Sequence, residues 1–478
     1  MTQATATVTP LQNNPAKEAF ARQRDAWLSE PYLPLSVRQD TLAALEEILV
    51  VHEQEIIRAI NRDFGNRSLH ESRLLEIFPT VTGMRDARKK VRRWMRPRRR
   101  HVSLWFKGSS NRVIPQPKGV VGIVSPWNYP LQLALSPLTS AIAAGNRCMI
   151  KMAASSQNLC RLLQRLVSAR ISDRIVAILP GVSAADFTAL PFDHLIFTGS
   201  PRTGRIVMKT AAENLTPVTL ELGGKSPTIM APDYDLDKAV ERILYVKYMN
   251  AGQTCVAPDY LMLPEDRVDA FVKAARKLIP TRYPKIESVD YTAIISASAF
   301  RRLLGLLKDA REKGATIVTL VPGSQPDEKR RKIPPTLVLD VTDEMQLMQE
   351  EIFGPILPVK PYRDLDEVIR YVNGGERPLA LYLFTNDKEL SEKVIYNTIS
   401  GGVSINDCAM HVAQHDLPFG GIGNSGMGQY HGHEGFLEFS KLRPVFKQAP
   451  VAASAFFAPP YGKVFELLYK WMIRLRGL

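Results

Sequence analysis

Cys255 closes the run Asn250-Ala-Gly-Gln-Thr-Cys, just beyond a segment with helical spacing. The glycine lets the chain turn sharply and leaves the sulfur on a loop. A thiol of ordinary pKa, about 8.5, is only a few per cent thiolate at neutral pH, so a nucleophile there needs backbone amides or a nearby charge. Taken alone, a cysteine is more often a small buried hydrophobe, and that reading applies to Cys148, Cys160 and Cys408. Cys255 differs in the company it keeps. The stretch Phe197-Thr-Gly-Ser-Pro-Arg-Thr-Gly204 reads as a strand running into a helix. Ser200 suits the cap and Pro201 the first helical position. Gly199 permits close approach of a ligand, and Gly204 permits tight helix packing. A positive helix end at the carboxyl edge of a strand can hold a pyrophosphate. The bland reading is an ordinary strand-to-helix turn.

The elements that must position these residues fall into two textures. The first hundred residues predict helices. Ser36 and Gln39 make a capping-box pattern ahead of Leu42, Leu45, Ile48, Leu49, Ile56 and Ile60, with Gly65 as a stop. From about Val113, short apolar runs alternate with Gly, Pro and Asn. VVGIVS, CMIK, RIVAIL and HLIFTG predict buried strands, and a helix fits between CMIK and RIVAIL. This pattern indicates a doubly wound, mostly parallel sheet. A second alternation runs from VTLEL through helical DLDKAVERILYVKYM and strand-like DYLML to helical DRVDAFVKAARKLI, so a second α/β domain begins near residue 222. LPFGGIGNSGMG forms a glycine-rich loop, and from Ala449 the chain is Pro/Ala-rich before an amphipathic segment.

Composition narrows the class. The chain has 478 residues, 45% of them hydrophobic and 23% charged, which supports a large core and two or more domains. Four cysteines without a close pair fit a reducing compartment. No signal-peptide pattern and no apolar run of about 18 residues is present, so the expectation is a cytoplasmic protein. Much of the +14 net charge sits in the basic run 85–100, RDARKKVRRWMRPRRR. A nucleic-acid or membrane patch is one reading. A solvated helix face and basic loop broken at Pro97 is the preferred one, and no nucleic-acid partner is expected.

Six segments stand in one order: VSPWNYP at 124–130, FTGSPRTG at 197–204, LELGGKSP at 220–227, NAGQTC at 250–255, EEIFGP at 350–355 and PFGGIGNSGMG at 418–428. Through them the chain resembles the aldehyde dehydrogenase superfamily over roughly residues 20 to 445. GQTCVAPDY, DFGNRSLHES and YHGHEGFLEFSK are most similar to its class 3 branch and, within that, to the coniferyl aldehyde dehydrogenases. The resemblance implies an α/β fold with a Rossmann-like cofactor domain, a second α/β catalytic domain and a small oligomerisation segment. The boundaries expected are 1–221 for the helices and cofactor domain, 222–412 for the catalytic domain, 413–446 for the bridging segment and 447–478 for an amphipathic tail.

By the same resemblance, the enzyme oxidises aldehydes to carboxylic acids with NAD or NADP. Cys255 attacks the aldehyde, and Asn128, with the Cys255 backbone amide, donates to the oxyanion. Glu221 activates the water that hydrolyses the thioester. Relatives that pass the acyl group to coenzyme A do not need this base, so Glu221 favours the free acid. Asn128 alone also fits an Asx turn before Pro130, and Glu221 an ion pair with Lys225. Lys151 is implied to contact the adenosine ribose, and Glu351 and Phe353 the nicotinamide end. Trp127 either packs there or is plain core. The family often carries a glutamate three residues after the lysine; here Ala154 precedes Ser155 and Ser156. Without a carboxylate to repel a 2′-phosphate, NADP is admitted.

Asn406 and His411 fall where the family lines its substrate funnel, or are satisfied turn residues. The eight histidines show no metal-ligand spacing, and His431 and His433 read as structural. In the tail, Val464, Leu468, Trp471 and Leu475 share helical spacing. That helix is expected to pack on the body or a partner subunit, with membrane-surface contact as the sharper alternative. A homodimer is the expected assembly. Competing functions are a thiol hydrolase, which has no use for FTGSPRTG or EEIFGP, a non-catalytic binding protein, and a nucleic-acid binder.

Overall fold

The computed structural model describes residues 14–450 and 457–474. Its N-terminal helices form because apolar side chains recur every three or four residues. Leu35–Val51 buries Leu42, Leu45, Ile48 and Leu49, and Glu53–Phe64 buries Ile56, Ile60 and Phe64. The predicted capping box does not form. Pro34 occupies the cap position, Ser36 lies inside the helix, and Gln39 donates instead to the Arg88 carbonyl at 3.0 Å. The helix breaks at His52, and Gly65, at φ +78°, stops the second half.

Among the described residues the strands assemble into three sheets. The first runs, in spatial order, Gly426–Met427, Val218–Leu222, His194–Gly199, Val120–Ser125, Arg147–Met152 and Val176–Ile178. All neighbours are parallel except Gly426–Met427. Strand order reverses between Val120–Ser125 and His194–Gly199, which opens a crevice at their carboxyl ends. VTLEL therefore closes the first sheet rather than opening the second. It pairs with His194–Gly199 and sets Thr198 opposite Glu221.

The second sheet has seven strands between residues 227 and 405, parallel except at the Thr316–Thr319 edge. A third, antiparallel sheet joins Arg98–Arg100, Ser110–Pro117 and Ser440–Lys447. The basic run is thus divided. Arg85 and Arg88 pair with Glu46, Lys90 with Asp86 and Asp416, and Arg98–Arg100 form an exposed edge strand. No helix among the described residues is long and apolar enough to cross a membrane. The helix Lys463–Arg474 buries none of its residues, although Trp471 meets Trp105 edge-on at 5.7 Å. Leu475 lies outside the described residues.

Candidate active site

The helix Leu236–Tyr248 ends in a loop with three consecutive left-handed residues, Asn250 (φ 52°), Ala251 (φ 50°) and Gly252 (φ 73°). Two of them carry side chains, so the surroundings must hold this conformation against its cost. At Gly252 a Cβ would lie 2.2 Å from the Gly354 carbonyl oxygen, which leaves room only for glycine. Buried Gln253 ties the loop down: its Nε2 donates to the Asn250 and Ala293 carbonyls at 3.0 Å, and its Oε1 accepts from Ile295 N–H at 2.9 Å. The Thr254 and Tyr129 hydroxyls are 2.6 Å apart. Cys255 therefore follows a rigid loop.

Cys255 is half-buried where two cavities meet. One, of about 190 Å³, is lined by Trp127, Asn128, Gly199, Ser200, Glu221, Glu351 and Phe353. The other, of about 270 Å³, is walled mainly by apolar side chains, including Leu74, Phe78, Tyr245, Met249, Met410 and Phe419. Burial, then the charges of Glu351 and Glu221, push the thiol up to about 12, while the Cys255 and Val256 amides oppose the shift.

Glu221 is 2% exposed, and neither carboxylate oxygen has a hydrogen-bond partner among the described residues. Burial, with Glu438 as second cause, raises its pKa well above the carboxylate range. The alternative pairing with Lys225 is not made. Lys225 instead binds the Asp259 carboxylate and donates to the Leu347 carbonyl at 2.7 Å. Asn128 is buried, and its Nδ2 donates to the Gln253 carbonyl at 3.2 Å. Asn128 and the thiol loop are thereby joined.

The crevice of the first sheet opens into the smaller cavity. Ser200 caps the helix Pro201–Ala212, its Oγ accepting from Thr203 N–H at 3.3 Å. At Gly204 a Cβ would lie 2.7 Å from Leu222 Cδ2, so glycine lets this helix sit close to the sheet. Glu351 is pushed up to about 8 by burial and by Asp259, against hydrogen bonding from Gly224 N–H. A Cβ at Gly223 would strike its carboxylate at 2.0 Å. Trp127 meets Phe353 edge-on at 5.5 Å and Phe64 at 6.2 Å, so one indole is both cavity wall and core. Lys151 is half-buried near the end of Arg147–Met152, and the turn Ala154–Ser156 follows. Ala154 and Ser155 are exposed, whereas Ser156 is buried, so only one of the two hydroxyls is open to a ligand.

Asn406 and His411 stand apart from the tunnel wall. Asn406 is a left-handed turn residue whose Oδ1 accepts from Thr385 N–H at 2.9 Å. His411 Nδ1 lies 2.8 Å from the Ser404 hydroxyl. Ala409, Met410 and His415 line the tunnel instead. Sequence reasoning also missed Tyr430, whose buried hydroxyl has no partner and which lines the tunnel. Nothing in its local sequence marks it.

A loop cysteine with the carboxyl-end crevice of the first sheet on one side and an apolar tunnel on the other suits a cofactor-dependent oxidoreductase. The profile of the aldehyde dehydrogenase family matches residues 2–445. The chain is 50% identical over 466 residues to a probable coniferyl aldehyde dehydrogenase of Pseudomonas aeruginosa, covering 96% of this chain and 97% of that protein. It is 43% identical over 451 residues to a coniferyl aldehyde dehydrogenase of Pseudomonas sp., covering 93% of each. A substrate-bound aldehyde dehydrogenase of Staphylococcus aureus, AldH, superposes with a TM-score of 0.89 at 36% identity, covering 95% of this chain and 99% of that one. The chain belongs to the aldehyde dehydrogenase family, and its activity is that of an NAD(P)-dependent aldehyde dehydrogenase.

Proposed function

We propose that the enzyme oxidises apolar and aromatic aldehydes, of the coniferyl-aldehyde kind, to free carboxylic acids through covalent intermediates on Cys255. The observation that carries this is the junction at Cys255, with an unpartnered buried carboxylate, Glu221, in the same cavity wall. The Cys255 thiolate adds to the aldehyde carbon, and the oxyanion so formed accepts from the Asn128 amide and the Cys255 N–H. The bound nicotinamide supplies a two-electron acceptor for the hydride that leaves this carbon. A thioester then remains on Cys255. Glu221 takes a proton from water, the hydroxide adds to the thioester, and the C–S bond breaks to release acid and thiolate. Gly199, Ser200 and Gly204 form the pyrophosphate cradle, Lys151 lies at the adenosine ribose, and Trp127, Glu351 and Phe353 hold the nicotinamide end. Residues 1–221 form the cofactor unit, 222–412 the catalytic unit, 413–446 a bridging segment and 447–478 a tail. We assign a homodimer as the assembly. Four free cysteines support the cytoplasm as its compartment.

Among the described residues, no Asp, Glu, Lys or Arg lines the tunnel. Placing a charged aldehyde there costs desolvation without an ion pair. Benzaldehyde- and cinnamaldehyde-type substrates are therefore expected to exceed carboxylate-bearing aldehydes in kcat/KM by about 100-fold, equivalent to about 2.7 kcal/mol. NAD(P)H formation measured across such a panel checks this. Equal kcat/KM for a charged aldehyde would refute the apolar assignment.

Cofactor choice gives a second expectation. Ala154 presents no carboxylate beside Lys151, and Ser155 is free to donate. NADP is therefore expected to be used at an efficiency comparable to or above NAD. Ala154→Glu should weaken NADP relative to NAD by about tenfold or more, since a 2′-phosphate then faces a like charge. The comparison is kcat/KM for both cofactors in wild type and variant. A strong wild-type preference for NAD that the substitution leaves unchanged would place Ala154 away from the ribose.

A further inference from the structure

Behind Asn128 lies a buried charge cluster with no part in the steps above. The Arg67 side chain is wholly enclosed, and its Nη1 donates to the Asn128 carbonyl at 2.7 Å. Its guanidinium carbon lies 4.9 Å from the centre of the Tyr129 ring. Glu71 stands 3.9 Å from Nε and Glu76 3.9 Å from Nη2. Each carboxylate reaches a different segment of the site. Glu71 accepts from Asn250 N–H at 2.9 Å, in the left-handed loop that leads to Cys255. Glu76 accepts from Leu131 N–H at 2.7 Å and Gln132 N–H at 3.3 Å, where the helix after Asn128 begins. Glu76 itself sits in a π-helical turn, Arg73–Ile77, a distortion common where a side chain must be re-aimed. Asn250 completes the lattice, its Nδ2 donating to the same Asn128 carbonyl at 3.1 Å.

Arg67 and Glu76 are buried and Glu71 is partly so, and enclosing ionisable groups in this way is an expensive means of stabilising a core, because well-packed apolar residues often do as well. What the cluster provides is direction. A planar guanidinium offers fixed donors, and a lysine in its place offers none at those angles. We propose that Arg67, braced by Glu71 and Glu76, is a positioning residue that fixes the Asn128 amide against the Cys255 loop at the spacing oxyanion stabilisation requires. This rests on the reading of Asn128 as oxyanion donor. The hydrogen bond Arg67 makes to the site runs to the Asn128 carbonyl, so most of its influence on the oxyanion step should be lost when the Asn128 side chain is gone.

The test is a double-mutant cycle read by the single-turnover rate of NAD(P)H formation with saturating benzaldehyde and cofactor. Thermal unfolding of each variant serves as the folding control. Arg67→Lys is expected to slow the reaction about 10–100-fold, as a displacement near 1 Å would, with KM for benzaldehyde and cofactor nearly unchanged. In an Asn128→Ala background the same substitution should change the rate by less than about threefold. An equal loss in both backgrounds, or a raised KM with kcat preserved, overturns the proposal. Asn128→Ala retaining the wild-type rate would instead remove the oxyanion reading on which it rests. Should Arg67→Lys fail to fold, Glu71→Gln takes its place in the cycle. The same dependence on background supports the proposal, and additivity overturns it.

Discussion

Replacing Cys255 by alanine is expected to lower steady-state oxidation by about four orders of magnitude or more, while cofactor binding stays close to wild type. In the proposed mechanism the sulfur is the atom to which substrate carbon bonds, so no neighbour can substitute for it, and the expected effect is correspondingly large. Cofactor binding survives because the crevice between Val120–Ser125 and His194–Gly199 is built without Cys255. The thiol's own acidity gives an independent readout. Burial and the Glu351 and Glu221 charges raise it to about 12 in the cofactor-free protein, so its thiolate fraction climbs throughout the accessible pH range. Alkylation of Cys255 by iodoacetamide should therefore accelerate about tenfold per pH unit from 7 to 9 without cofactor. A Cys255→Ala protein that forms NAD(P)H at the wild-type rate would remove the thiol from the mechanism.

Glu221→Gln separates the two halves of the reaction. Glutamine fills the same volume but cannot take a proton, so acylation proceeds and hydrolysis stalls. A burst of NAD(P)H near one equivalent per site is expected, followed by a steady state about 10²–10⁴-fold slower, the usual worth of a general base. A carboxyl group whose pKa burial has raised is a better proton acceptor once ionised, and as pH rises a larger fraction is ionised. Wild-type hydrolysis should accordingly rise with pH through that raised pKa, and the variant's slow phase should lose this dependence. Stopped-flow fluorescence of the reduced cofactor gives both numbers. A variant with neither burst nor turnover would assign Glu221 to an earlier step.

Several of these features were legible because they depend on neighbours in sequence. The cap at Ser200 with Pro201 behind it is local turn chemistry, and the glycine before Gln253-Thr254-Cys255 marks a sharp turn, although distant groups such as the Gly354 carbonyl hold the loop's exact path. The alternation of apolar runs indicated parallel sheets for the same reason. What sequence could not display was partnership. Lys225 is the alternative partner for Glu221 four residues earlier, yet Asp259 takes the cation. Asn406 and His411 lie near tunnel residues in sequence, but Asn406 Oδ1 accepts from Thr385 N–H and His411 Nδ1 meets the Ser404 hydroxyl, away from the tunnel wall. Arg67 and Glu71 fall within DFGNRSLHES, which marks a resemblance but no role, and nothing local marks Glu76. Their meaning comes from Asn128, Leu131 and Asn250, which lie 55 to 179 residues away.

The antiparallel pairing of Gly426 with Glu221 bears on how the chain is made. At Gly426, φ 147°, a Cβ would lie 2.1 Å from the Leu220 carbonyl oxygen, so the two backbones touch. Nearby, Glu438 accepts from the Thr219 hydroxyl at 2.6 Å, and the Phe439 carbonyl accepts from Asn146 Nδ2 at 2.9 Å. The strand that carries Glu221 is therefore an open edge until more than two hundred further residues have left the ribosome. At about 5–20 residues per second, it waits on the order of ten seconds or more with its outer hydrogen-bonding groups unpaired. During that interval the nascent first sheet offers a free edge to neighbouring nascent chains. The same event that seals the edge, arrival of residues 426–439, packs the far end of the chain against Glu221's strand. A chain shorter than about 426 residues therefore leaves Leu220 and Glu221 without their outer neighbour.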